Sequence, residues 1–144
     1  MRIYLETSFF SYLTGRPTRN ELIALRQNTT KIWWEEEAKK HELFISGHVT
    51  MFAGIPLLDG FNDEVDCLAK KLLTMHAVPR TEVTDAYHIA TAAVHKMDVL
   101  LTWNCRHMAN RFALPKTISV VQSNGFECPS IVTPDDFMKE NLDA

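Results

Sequence analysis

The chain has 144 residues, 46% of them hydrophobic and 23% charged, which is the balance of a globular protein and excludes a disordered one. No apolar run approaches the ~20 residues of a membrane span, and the opening MRIYLETSFF lacks a secretory signal's apolar stretch, so a cytoplasmic single domain over residues 1–144 is expected. A formal net charge of -3 gives a field that weakly repels phosphate, so any binding of RNA requires a local basic patch.

Met1 to Leu5 alternates weakly and predicts a short strand with Ile3 and Leu5 on one side. After Glu6-Thr7-Ser8, the residues Phe9, Phe10, Tyr12 and Leu13 predict a short helix stopped near Gly15 and Pro17. A longer helix is expected from about Thr18 to His41, capped by Thr18, with Glu21 three residues on and Lys39 and Lys40 in its last turns. Its apolar positions include Trp33 and Trp34, a pair that reads as a buried helix face rather than a base-stacking platform. Leu43 to Ile45 predicts a second strand and Ile55 to Leu58 a third.

Asn62 is expected to cap a helix with Asp63, Glu64 and Asp66 in its first turn and Val65, Leu68, Ala69, Leu72 and Leu73 as its buried stripe. Thr84 is expected to cap the next helix, which runs to about Met97 and faces inward through Ala86, Ile89, Ala90, Ala93 and Val94. Val99 to Thr102 is nearly all apolar, as in a central parallel strand. A helix starting at Asn104 and ending before Pro115 is predicted next, then a helix from Lys116 to Asn124 with Gly125 after its end. Ile131 to Thr133 forms a last strand, and Pro134 starts a final helical turn.

Strands alternating with helices imply an α/β layer with a mostly parallel sheet, whose sites lie at the carboxyl ends of the strands. The positions to watch are Glu6 to Ser8, the region after Ile45, and Trp103-Asn104. Glu6, Asp85 and Asn104 can meet at one such edge. Oxygen ligands of this kind suit Mg²⁺ or Mn²⁺ and metal-assisted attack of water on a phosphodiester. Each also has a plainer reading: Glu6 as a loop carboxylate, Asp85 as a charge at a helix start, Asn104 as a cap.

His88 and His95 lie two helical turns apart, too far to share a metal, and read as structural. No Gly-rich phosphate loop or GxSxG elbow is present, and nothing recommends a Ser8-based triad. Cys67, Cys105 and Cys128 lack metal-site spacing and read as reduced, mostly buried thiols. The basic candidates for an RNA patch are Arg16, Arg19, Arg26, Arg106, His107 and Arg111.

The opening IYLETSFFSYLTGRPTRN, the Trp pair, the block VTDAYHIATAAVHKMDVLLTWNCRHMAN and the closing VTPDDF together resemble the PIN-domain family over almost the whole chain, specifically bacterial toxin-like ribonucleases of type II toxin–antitoxin systems. The resemblance implies a three-layer sandwich around a central mostly parallel sheet. It also implies an acidic pocket holding Mg²⁺ or Mn²⁺, single-stranded RNA as substrate, a cognate antitoxin protein and a homodimer. Carried over by position, Glu6 stands at the first acid, usually Asp, with Thr7 or Ser8 as the neighbouring hydroxyl. Asp85 matches the third acid, and Asn104 falls where many members have a further Asp. Thr7, Ser8, Arg16, Arg106 and His107 are the expected substrate contacts, and Glu6 and Asp85 the expected metal ligands.

The second acid has no counterpart, because no carboxylate lies between Leu43 and Leu58. The chain looks shortened by about one helix between Val49 and Ile55, and a parallel crossover needs about a dozen residues or more. The segment from Ser46 to Gly60 is therefore expected to avoid a normal crossover, by an antiparallel turn, by loss of the third strand or by exchange between subunits. The leading expectation is a metal-dependent endoribonuclease of toxin type. The alternative is a catalytically impaired PIN-like protein that binds RNA or an antitoxin without cleavage.

Overall fold

Alternating apolar side chains in short strands set the frame. The computed structural model describes residues 1–46 and 54–142. Five strands, β1 (Arg2–Leu5), β2 (Glu42–Ser46), β3 (Leu57–Leu58), β4 (Val99–Leu101) and β5 (Ser130–Val132), form one sheet in the order β3-β2-β1-β4-β5. Every described pairing is parallel. Six α-helices flank it among the described residues: α1 (Thr7–Leu13), α2 (Glu21–Glu36), α3 (Asp63–Thr74), α4 (Val83–Val94), α5 (Leu114–Ser123) and α6 (Pro134–Leu142).

The period of two sorts side chains to two cores. Ile3, Leu5, Ile45, Val99 and Leu101 pack with Phe9, Phe10, Trp33 and Phe137 on the α1, α2 and α6 face. Tyr4, Leu100 and Ile131 pack with the stripes of α3, α4 and α5 on the other face. The result is a three-layer α/β sandwich, as the alternation of strands and helices predicts. Trp33 is fully buried, which agrees with its reading as a core residue. Among the described residues no helix is long and apolar enough to cross a membrane.

Several local expectations are corrected. Asn20, not Thr18, caps α2: its Oδ1 accepts the Ile23 N–H at 3.1 Å, while the Thr18 hydroxyl accepts the Asn20 N–H. Helix α2 ends at Glu36 and a separate 3₁₀ turn covers Ala38–Lys40. Helix α4 starts after Glu82, with no side-chain cap from Thr84. Turns replace the expected helix between Asn104 and Pro115. The cause is local: the Asn104 and Asn110 amide oxygens accept the N–H groups of His107 and Phe112 and compete with a helical ladder. The thiols are free, but Cys67 and Cys105 are exposed, and only Cys128, half-buried, packs against the core.

The third strand expected within Ile55 to Leu58 is present as Leu57–Leu58, and it pairs with β2 in parallel, Ile45 opposite Leu57 and Ser46 opposite Leu58. An antiparallel turn or a missing strand is thereby corrected. Residues 47–53 lie outside the described residues. The edge strand β3 itself has only two residues.

Candidate active site

The chain leaves β1 toward β2 and β3 and later returns to β4 on its other side. The carboxyl ends of β1 and β4 therefore flank the switch point of the sheet, where open parallel sheets place their ligand sites. Glu6 follows β1 and Thr102-Trp103-Asn104 follows β4. The Glu6 N–H donates to Leu101 O at 3.1 Å and so extends the ladder to the edge.

Glu6 is buried, with 6% of its surface exposed. Its Oε2 accepts three hydrogen bonds, from Ser8 N at 3.0 Å, Ser8 Oγ at 2.5 Å and Thr102 Oγ1 at 2.8 Å. The first of these caps α1. Its Oε1 faces His88 Nε2 at 3.7 Å. His88 Nδ1 in turn lies 2.5 Å from the Tyr4 hydroxyl, which donates to Ser46 Oγ at 2.8 Å. Burial pushes the Tyr4 phenol far above its ordinary range, so it stays protonated.

A second chain of contacts leads to Asp85. Thr102 Oγ1 accepts the Asn104 N–H at 3.0 Å, and Asn104 Nδ2 donates to Asp85 Oδ2 at 3.1 Å. His107 Nδ1 lies 3.4 Å from the same oxygen and 3.9 Å from Glu82 Oε1. Burial pushes the Asp85 carboxyl above its usual range; the Asn104 hydrogen bond opposes this, Glu82 and Glu6 add to it, and His107 opposes it. Glu6 thus adds to the rise at Asp85, and Asn104 reaches Asp85 directly but Glu6 only through the Thr102 hydroxyl.

Ligand-type atoms of Glu82, Asp85 and His107 all lie within 4.8 Å of one another. This donor set fits a divalent ion. Two carboxylates supply hard oxygen, and the imidazole moves preference from Mg²⁺ toward Mn²⁺ and later first-row ions.

The remaining expected residues divide. Ser8 is at the edge, but its hydroxyl serves Glu6 and accepts the Trp103 N–H at 2.8 Å. Thr7 opens α1 beside it. His107 joins the cluster. Arg16 and Arg106 are exposed, and their described hydrogen bonds use their backbone carbonyls, to Gln27 and Asn110.

Sequence reading missed Glu82, Thr102 and the placement of His88. The signal for Glu82 was its spacing, three residues before Asp85 at a helix start, which puts both carboxylates on one end of the helix.

No protein-family model matches the chain, and neither a curated protein nor a solved structure matches it.

Proposed function

We propose that the chain is a PIN-like, divalent-metal-dependent endoribonuclease of toxin type acting on single-stranded RNA. The observation that carries this reading is the meeting of Asp85, Glu82, His107 and Asn104 beside buried Glu6 at the switch point of a parallel sheet. Asp85, Glu82 and His107 would hold the ion, Mn²⁺ in preference to Mg²⁺. A bound divalent ion supplies positive charge to a phosphodiester oxygen and acidifies a water.

The chain's own residues do the rest. Asn104 fixes the Asp85 carboxylate through one amide N–H to Oδ2. Thr102 locks Glu6 and Asn104 to the same hydroxyl, so the two sides of the edge keep a fixed spacing. Glu6 contributes buried negative charge that favours a cation nearby. The reading also carries a cognate antitoxin, a homodimer and a cytoplasmic setting.

One observation favours the second reading, a protein that binds RNA or an antitoxin without cutting. Glu6 commits one oxygen to three hydrogen bonds, and the segment between Leu43 and Leu58 supplies no acid. Purified chain with a labelled single-stranded RNA separates the two. Cleavage with Mn²⁺, stopped by EDTA and reduced at least about 100-fold in Asp85→Asn, supports the nuclease. Binding without cleavage under any divalent ion supports the second reading.

A further inference from the structure

The acidic edge has a cation beside it that the metal site does not use. Arg26 of α2 lays its guanidinium 5.3 Å from the Trp103 ring centroid and 5.8 Å from that of Tyr12. Its Nη1 donates to the Tyr12 hydroxyl at 3.2 Å. Both rings are fixed. Trp103 is nearly buried, its indole N–H donates to Thr30 Oγ1 at 2.8 Å, and its backbone N–H donates to Ser8 Oγ at 2.8 Å. Tyr12 packs against Trp103 with 5.7 Å between centroids. The guanidinium is therefore held relative to the Glu6–Ser8–Thr102 group with little freedom left.

Arg26 is half-buried, yet no ion pair among the described residues includes it. A guanidinium carries five N–H donors. The one described side-chain hydrogen bond spends a single donor, on a neutral phenol. A structural tether for α2 would need no such unneutralised charge at the rim of an acidic cleft. A planar fork of donors with no ion-pair partner among the described residues is suited to recognise a phosphate. The need is real in a chain of net charge -3, whose field opposes the approach of RNA.

We infer that Arg26, braced by Tyr12 and Trp103, is a substrate-positioning residue that binds a backbone phosphate of single-stranded RNA next to the scissile one. This rests on the ribonuclease reading of the acidic site. It assigns the role to Arg26 in place of Arg16 or Arg106, whose side chains are solvated.

The test is binding, not cleavage. A fluorescein-labelled hexaribonucleotide is titrated with the full chain in EDTA at two salt concentrations, and melting temperature is recorded for each variant. Arg26→Ala is expected to weaken binding about tenfold or more and to reduce the salt slope by about 1. Arg26→Lys keeps the aliphatic stem and the charge but loses the fork, and is expected to weaken binding about threefold to tenfold.

Folded variants that both bind like the wild type overturn the inference, and Arg26→Lys decides alone if Arg26→Ala does not fold. Equal affinity for an acidic peptide of the same charge overturns the assignment to RNA, as does wild type that does not bind the hexamer. A chain that binds through Arg26 but never cleaves overturns the nuclease reading only. One that cleaves and is indifferent to Arg26 overturns only this inference.

Discussion

Asp85 sits among two other acids, one amide donor and one imidazole, and burial sets the balance. An Asp whose folded value is raised takes its proton in the native state before the unfolded chain does. The ionised carboxylate therefore costs stability at neutral pH, and that cost disappears as the pH falls through the raised value. In EDTA at neutral pH, Asp85→Asn is expected to melt higher than wild type by roughly 2–4 °C, an effect of about 1 kcal/mol in a domain this size. The gain should shrink as the pH is lowered toward the ordinary carboxylate range, because the wild-type carboxyl is then neutral too. Adding Mn²⁺ should raise the melting temperature of wild type and leave Asp85→Asn unmoved. A variant that melts no higher than wild type in EDTA would show that the local charge is already balanced. The proposed cation site is in this sense a place where the fold without metal carries a local cost.

Two asparagines show how far local signals reach. Asn62 stands before three acidic residues and a stripe of Val65, Leu68, Ala69 and Leu72, and it caps α3 as the sequence predicts, Oδ1 accepting from Val65 N at 2.9 Å. Asn62→Ala should lower stability by about 1 kcal/mol in urea denaturation, with an unchanged m-value. Asn104 has the same side chain and accepts from the N–H three residues on, yet no helix follows. The difference lies downstream, where Asn110 bonds its own neighbours and interrupts propagation. Strand and helix order were legible because the periodicity of Ile3, Leu5 and the α3 stripe is strong. Glu6, Asp85 and Asn104 were legible as edge residues for the same reason. Glu82 and Thr102 were not, because their roles depend on contacts with His107 and Glu6 that lie far from them in sequence. Arg26 appeared only as one of several surface cations, since nothing in its own neighbourhood announces the Trp103 ring it rests on.

At the scale of the whole molecule, α2 keeps Leu22 58%, Leu25 61% and Ile32 37% exposed, at positions that share one helix face. A second copy related by a two-fold axis covers such a stripe with itself, and this is the homodimer we propose. Sedimentation at tens of micromolar should give a dimer, and Leu25→Glu a folded monomer; wild type that stays monomeric would sink the idea. The sheet order carries a further consequence, for the moment of synthesis. Thr102 reaches back 96 residues to bind Glu6, and Arg2 is likewise joined to Asp98. The central pairing of β1 with β4 thus waits on nearly the whole chain, and contacts so distant in sequence form late and slowly. Until residues near 107 have emerged from the ribosome, Glu6 lacks Thr102, Asp85 lacks Asn104 and His107, and Arg26 lacks its indole. If the chain is the nuclease proposed above, a nascent copy has no assembled cleft to turn on the message that encodes it.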